Sequence, residues 1–591
     1  MGVELYLHPA AILIFGAILL PLVRGRSRSA LQVTLPVIGF VNLLGWHDGD
    51  TASMSLLNQS LEVVRVDRLS LLFGYLFHIA AFIGSIYALH VRNRVQLVSA
   101  MMYAGSAVGA VFAGDLITLF IFWELLAVTS VFQIWARKSE TSGACGIRYL
   151  MVQISSGLLL LGGAAVQYQE TGSLAFEAME LEGLAAWLIF LAFGIKCAFP
   201  FLHTWLVDAY PEATPTGTVF LSAFTTKTAV YALARGFPGT ELLIVIGTIM
   251  TMFPIFFAVI ENDLRRVLAY SMINQIGFMV VGIGIGTPLA INGAVAHAFN
   301  EVIFKGLLFM SMGAVLLRTG KINGSDLGGL YKSMPLTSGC CIVGAASISA
   351  FPLFSGFVSK SMVMTAVGME GHLWVWLCLL FASAGVFHYA GIKIPFFAFF
   401  AHDSGIRTKE APKNMLAAML IAAVLCIFNG SFPGTLYNLL PYPVEYVPYT
   451  LTHIVAQTQL LFFSALAFAC LMLTGLYPPE LRSVNLDADW FYRRGARAFY
   501  SIADRSLNGI NAFAHTHIVT NLMSALGRFS AEGPVRLAAV FLVPFWRAQR
   551  LPADLIERKH RQLYEPGWLG LVPVGVTACL AVVLLALLFF F

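Results

Sequence analysis

Residues 115–135 read DLITLFIFWELLAVTSVFQIW, a run apolar and long enough to cross a bilayer, with Glu124 near its middle. An ionised side chain at the centre of a membrane helix costs about 2.5–3.5 kcal/mol on insertion scales. A span that carries one therefore asks for a partner, or for a task that needs a charge in the membrane. The surrounding chain supplies the setting. Of its 591 residues 58% are hydrophobic and only 11% are charged, less than half the usual share of a soluble domain, and mean hydropathy is +0.79. Long apolar runs, not short alternating segments, predict an all-α polytopic membrane protein and exclude a β-barrel.

Working outward, apolar windows recur from 8–23 to 568–591 and give about 14–16 transmembrane helices. Numbered as sixteen, they leave Arg and Lys mainly in the odd-numbered loops, such as Arg24, Arg26 and Arg28 after the first span and Arg265 and Arg266 after the ninth. The positive-inside rule then places the N-terminus outside and residues 478–566 in the cytoplasm, in the cell (plasma) inner membrane. The loop after the seventh span is the exception, with Asp208 and Glu212 and no basic residue. The first apolar run lacks a basic leader and a small-residue cleavage site, and reads as a retained helix. The stretch 478–566 mixes Arg with aromatic residues at near-helical spacing and suits either an amphipathic helix on a surface or a plain connector. No basic patch with interleaved aromatics points to nucleic acid. The eight cysteines form no CxxC and lie mostly in apolar runs, so they read as packing residues, with no disulfide framework or metal cluster.

Glu124 is accompanied by other buried charges. Lys196 lies in LAFGIKCAFPFLHTWLVDA, Lys227 in VFLSAFTTKTAVYALARG, Lys305 in HAFNEVIFKGLLFM after His297 and Glu301, and Lys360 in SISAFPLFSGFVSKSMVM. Static ion pairs would explain one Glu–Lys couple. Five or more ionisable groups on successive spans each add an insertion cost that apolar packing avoids, which favours a proton or ion path. Lysine suits such a path because burial disfavours its charged form, so that it can gain and lose a proton near neutrality. His203 and Asp208 are candidates for proton uptake, and His388 and Lys393 weaker candidates for release. No second His or Cys falls at ligand spacing beside them, so no metal and no cofactor is expected. Lys196 precedes Pro200, and Lys360 follows Pro352 and Gly356. The phrases KCAFP and AFPLFSGFVSK look like matching helix breaks on the seventh and twelfth spans. A repeat of five helices makes an odd number of crossings, so its second copy would be inverted; an ordinary pair of kinked helices is the alternative.

The run GIKCAFPFLHTWLVDAYPEATPTGTVFLSAFTTKTAVYALARGFPG, with FWELLAVTS, ENDLRRVLAYSMINQIGFMV and SGFVSKSMV, resembles the antiporter-like subunits shared by Mrp-type multisubunit Na+/H+ antiporters and respiratory complex I. Within that family TPTGTVFLSAFTTK, RTGKINGSDLGGLYKSMP and GIKIPFFAFF look most like the Mrp D subunit. The resemblance covers roughly residues 65–400 and implies a Glu124–Lys196 pair, a bridging Lys227, a central Lys305, a terminal Lys360 and two inverted five-helix repeats with broken seventh and twelfth helices. It implies N-terminal helices in 1–95, a first repeat in 96–236, a second in 237–400, further spans in 401–477, the amphipathic segment 478–566 and a last helix in 567–591. Two departures stand out. The family often carries His four residues before the central lysine, where this chain has Glu301, so that His297 takes over part of that role. The long tail resembles the lateral helix of the largest antiporter-like subunit of complex I. The expected function is proton translocation within a monovalent cation (Na+)/H+ antiporter. The alternatives are a proton-pumping subunit of complex I or of a membrane-bound hydrogenase, and an energy-coupling subunit for inorganic carbon uptake. The expected partners are other subunits of such a complex, protons, Na+ and the lipid bilayer.

Overall fold

A computed structural model describes residues 7–56, 59–481, 485–565 and 580–587. The chain separates into two units, residues 1–488 and 489–591. The first unit opens with α1 (Ala11–Leu19) and α2 (Gly25–Leu43), then a hairpin of β1 (Thr51–Leu56) and β2 (Gln59–Arg65). The hairpin is an addition to the all-helical expectation; it buries Leu61 and Val64. The spans α3 (Arg68–Tyr87), α4 (Arg94–Phe112), α5 (Leu116–Trp135) and α6 (Ser142–Thr171) follow. α3, α4 and α5 are each capped at the N-terminus by a short polar side chain, Asp67, Asn93 and Asp115, which accepts from backbone N–H groups left unpaired there.

The next two crossings are interrupted. α7 (Gly183–Lys196) and α8 (Thr204–Glu212) are separated by a non-helical break, and α9 (Pro215–Ala223) passes to α10 (Thr225–Gly236) through Phe224. This second interruption, on the eighth span, carries no proline at the junction and was not visible in sequence. Three unbroken helices follow, α11 (Glu241–Ile260), α12 (Leu264–Ile285) and α13 (Pro288–Thr319). α14 (Pro335–Ile348) and α15 (Ser355–Met369) form another broken crossing. α16 (Leu373–Val386) continues into π-helical turns at Phe387–Lys393 and Phe396–Phe400, and α17 (Lys413–Ser431), short α18 (Pro433–Tyr437) and α19 (Leu451–Leu473) complete the unit. Among the described residues ten helices are long and apolar enough to span a membrane, and α7 and α14 are shorter apolar halves. This is a multi-pass membrane protein.

Hydrogen bonds between loops sort them onto two faces. On one, the Arg65 guanidinium donates to the Phe176 carbonyl at 2.5 Å, Met179 N–H to Gly236 O and Gly239 N–H to Ile283 O. This is the hairpin face. On the other, Gly324 N–H donates to Asn262 O, Arg318 to Glu410 O, Lys332 pairs with Asp403 at 2.7 Å, and Asn414 reaches Tyr87 O. The basic, odd-numbered loops therefore gather on one face, which we call the basic face. The loop after the seventh span, which lacks a cation of its own, borrows them. Arg137 donates to Pro211 O, Arg148 pairs with Asp208 at 2.6 Å, and the fully buried Arg265 donates to the carbonyls of Pro211 and Ala213.

The second unit is a long helical rod: α20 (Asp489–Ala514), a π-helical stretch His515–Leu522 and α21 (Met523–Ala548), against whose end α22 (Ala553–Leu563) packs through Val535, Ala539 and Leu563. Within the segment 478–566, residues 489–548 and 553–563 are helical. The last expected span, 568–591, lies outside the described residues except for the helical 580–587.

Candidate functional site

The two breaks are built alike. Ala198 and Phe201 in the first, and Ala350 and Leu353 in the second, take positive φ of 62°, 67°, 57° and 73°. Such backbone costs about 1–3 kcal/mol per residue and survives only where its surroundings enforce it. In each break the phenylalanine before the proline donates its N–H five residues back at 3.0 Å, Phe199 to Gly194 O and Phe351 to Ala346 O. Gly356 is required here, since a Cβ would stand 1.9 Å from the Ser347 carbonyl oxygen.

The buried charges lie around these breaks. Lys196, the last residue of α7, is wholly buried; its Nζ donates to Trp123 O at 2.5 Å and stands 4.5 Å from the centre of the Trp123 ring. The neighbouring Glu124 lies half-buried against Gly157 of α6, its Oε1 without a hydrogen-bond partner. The expected Glu124–Lys196 pair is thus not a contact ion pair: the lysine engages the peptide of the preceding residue. Lys227, in the first turn of α10, forms an ion pair with Glu301 of α13, both side chains fully buried, and donates to Ser222 O at 3.3 Å. Glu301 therefore ties the eighth span to the eleventh.

His297, Glu301 and Lys305 follow one another at four-residue intervals and share one stripe of α13. Lys305 Nζ donates to Ser271 Oγ of α12 at 2.7 Å. His297 hydrogen-bonds Gln275 Oε1 through Nε2 at 3.1 Å and Ser359 Oγ through Nδ1 at 3.0 Å, and Ser359 is the residue before Lys360. Lys360 Nζ donates to Ile348 O, a carbonyl freed by the second break, at 3.2 Å and lies 4.9 Å from the Phe278 ring centre. Among the described residues, Lys196, Lys305 and Lys360 have no carboxylate within 4 Å; hydroxyls, carbonyls and rings surround them. The arrangement can hold a proton at several nearby positions with little fixed countercharge. Ser271, Gln275 and Ser359 were missed in sequence, although Ser271 and Gln275 stand four apart inside the apolar run AYSMINQIGFM, the spacing of a polar stripe.

The four peripheral candidates separate. Asp208 is held by Arg148. His203, at the basic-face end of the first break, hydrogen-bonds both oxygens of Asp487 at 3.1 and 3.2 Å; Tyr270 donates to the same carboxylate at 2.8 Å. Burial pushes the Asp487 carboxyl up, but the hydrogen bond and charge of His203 and the Ala488 N–H outweigh it, so the group lies below its ordinary value. Lys393 caps the end of α11, donating to Val259 O and Glu261 O at 2.7 Å, and pairs with Glu480 at 2.9 Å. His388 stacks on Tyr477, with ring centres 5.6 Å apart. Among the described residues no cluster of three or more His, Cys, Asp or Glu could hold a metal ion.

Residues 113–387 match the family model described as NADH:quinone oxidoreductase/Mrp antiporter, TM. The chain is 30% identical over 428 residues to the A subunit of the Na(+)/H(+) antiporter of Alkalihalophilus pseudofirmus, covering 63% of this chain and 53% of that protein. It spans about half to three fifths of the length of the first curated relatives it matches. Among solved structures, a chain of the membrane-bound sulfane sulfur reductase, an archaeal respiratory membrane complex, superposes with a TM-score of 0.71 at 23% identity, covering 90% of this chain and 99% of that one. A chain of the Mrp complex from a Dietzia species gives 0.64 at 20% identity, covering 78% and 98%. The chain resembles antiporter-like subunits, and residues 113–387 carry the transmembrane region shared by NADH:quinone oxidoreductases and Mrp antiporters.

Proposed function

We propose that this chain is the proton-translocating subunit of a multisubunit monovalent cation (Na+)/H+ antiporter, moving protons along Glu124, Lys196, Lys227, Glu301, Lys305, His297 and Lys360. The observation that carries the reading is the buried series on α10, α12, α13 and α15: one Lys–Glu pair, then lysines and a histidine held by hydroxyl, amide and carbonyl groups. Each buried charge costs insertion energy, and a purely structural bundle gains nothing from Lys305 and Lys360 in this series, or from Lys196 on α7, none of which has a carboxylate within 4 Å among the described residues. Glu124 holds a proton on Lys196 through space when near and lets it pass when displaced. The halves 96–236 and 237–400 serve as inverted repeats around the two matched breaks, flanked by helices in 1–95 and 401–477. The basic face is cytoplasmic, in the cell membrane, with the N-terminus outside, and other subunits of the complex complete the cation path.

The test is pH-gradient dissipation in everted vesicles carrying the complete complex. Glu124→Gln and Lys196→Ala each abolish coupled proton movement at unchanged protein level; normal transport in the double variant refutes the relay. The long rod after residue 488 favours one second reading, a proton-pumping subunit of a redox complex. The superposition on the archaeal respiratory chain covers 90% of this chain, against 78% for the Mrp chain. Mass spectrometry of the complex purified from its native membrane separates the two: small cation-antiporter subunits support the first, hydrogenase or quinone-site subunits the second.

A further inference from the structure

After α19, residues 477–481 and 485–488 lie against the basic face as a strap. Asn485 donates to Glu261 Oε2 at 3.1 Å, and Asp487 is held by His203 and Tyr270, so the strap is anchored near its end. Glu480, five residues before Asn485, adds something anchoring does not require. It borders an open cleft of about 360 Å³ lined also by Ser325, Phe397, His402 and Tyr477. Its side chain is only 7% exposed, and the Lys393 ammonium on its inner side, 2.9 Å away, is wholly buried.

We infer that Glu480 is a proton-exchange residue standing between this cleft and Lys393, a role that rests on the proton-relay reading above. Both carboxylate oxygens are buried against Lys393, so the carboxylate takes a proton from cleft water on turning toward the cleft that its residue borders. It passes that proton to a neutral Lys393 amine, leaving carboxylate and ammonium, and the reverse sequence returns a proton to the cleft. Lys393 has acceptors for its three protons in Val259 O, Glu261 O and Glu480. The titratable groups that face Glu480 are Lys393 from the π-helical stretch, Glu261 from the loop after α11 and Tyr477 from the strap itself, with His402 across the cleft. Burial pushes the Glu480 carboxyl above its ordinary range, with Lys393 pulling it back only in part. A carboxyl poised upward exchanges protons nearer neutrality than a free one does.

The test uses membranes carrying the complete complex, with Glu480→Gln, Glu480→Asp and Glu124→Gln side by side. Glu480→Gln should slow pH-gradient dissipation by at least roughly tenfold, as loss of a general acid–base group does, while Glu480→Asp keeps most of the rate. Hydrogen exchange over 485–488 should stay unchanged in Glu480→Gln, because Asp487 anchors the strap. In the wild type, a hydrophobic carbodiimide should modify Glu480 more at about pH 6 than at about pH 9, since it reacts with the protonated acid. A wild-type rate in Glu480→Gln, with Glu124→Gln inactive, overturns this inference and leaves the relay standing. Fast exchange over 485–488 in Glu480→Gln overturns it in favour of a latch. Full activity in Glu124→Gln overturns the relay itself.

Discussion

The position of the Glu124 carboxylate is set by a glycine. Gly157 sits in the middle of α6, facing α5, and an added Cβ would lie 1.5 Å from Glu124 Oε1 and 2.5 Å from its carboxyl carbon. Ordinary contact begins near 3.4 Å, so Gly157→Ala requires the oxygen to withdraw by about 2 Å. The fold tolerates this. Alanine in a helix interior is worth about 0.5–1 kcal/mol over glycine, which offsets the roughly 0.5–1.5 kcal/mol of an off-rotamer carboxylate. Proton transfer does not tolerate it, because displacements of about 1 Å at reacting groups can cost about 100-fold. Gly157→Ala is expected to assemble normally and to dissipate a pH gradient about 10- to 100-fold more slowly in everted vesicles. Gly162→Ala is the control on the same helix; its Cβ would meet nothing nearer than Leu188 at 3.9 Å, and it should behave as wild type. Wild-type flux in Gly157→Ala would refute the claim that carboxylate placement governs transfer. Equal loss in Gly162→Ala would assign the defect to α6.

Three further outcomes are expected. Glu301→Ala should lower stability by about 3–5 kcal/mol, because it strands the buried Lys227 charge, whereas Lys227→Met with Glu301→Met should regain most of the thermal midpoint in detergent and transport nothing. Lys360→Arg should insert at normal level and lose most flux, since Arg stays protonated; Lys393→Arg should still cap the α11 carbonyls and fold, but slow flux about as much as Glu480→Gln does, because a guanidinium cannot take up and return the Glu480 proton. Because the folded Asp487 carboxyl lies below its unfolded value of about 3.9, its stabilisation is complete above that pH and is lost only as pH falls through the lower folded value. Hydrogen-exchange protection over 485–488 should therefore be lost at acid pH, as pH falls through the folded Asp487 value, and Asp487→Asn should remove it throughout.

How much of this was legible in the sequence depended on the kind of signal. Periodic signals came through: long apolar runs marked the spans, and proline after alanine and phenylalanine marked both strained breaks. Single charges in apolar runs marked the lysines, because an insertion cost stands out against Leu and Phe. Partnerships did not come through, since they depend on which faces meet. Glu301 belongs with Lys227, seventy-four residues away in the chain, not with Lys305 one turn along its own helix. Lys196 engages the Trp123 peptide, and its interaction with Glu124 is through space and not a contact pair. The break at Phe224 left no mark because no proline or glycine makes it; the chain bends where Lys227 reaches back to Ser222 O. Arg265 looked like one more loop cation, yet it is fully buried and binds the backbone of the one loop that lacked a cation.

The two breaks show why like backbones serve different ends. Each exposes a carbonyl near the end of its first half-helix, Ile195 O in one and Ile348 O in the other. The first is taken by the Trp205 indole N–H at 2.9 Å, a donor that never gives up its proton. The second is taken by Lys360, which can. α7 begins from the loop after Met179, on the hairpin face, whereas α14 begins beyond Gly324, on the basic face. Lys196 precedes its break and Lys360 follows its own, so the opposite directions of travel put both lysines on the hairpin-face side of a break. The basic-face side of the first break carries His203 with Asp487, and that face near Lys393 carries Glu480. At the two matched breaks the groups thus differ: Lys196 and Lys360, with no carboxylate within 4 Å among the described residues, lie inward, and the acid-paired His203 and Lys393 lie toward the basic face. A proton moving inward leaves a site where a carboxylate stabilises it for one where only neutral dipoles do. On the relay proposed above, that step is uphill unless a charge such as Glu124 approaches, so the proposal makes movement of a carboxylate, not the supply of protons, the control of flow.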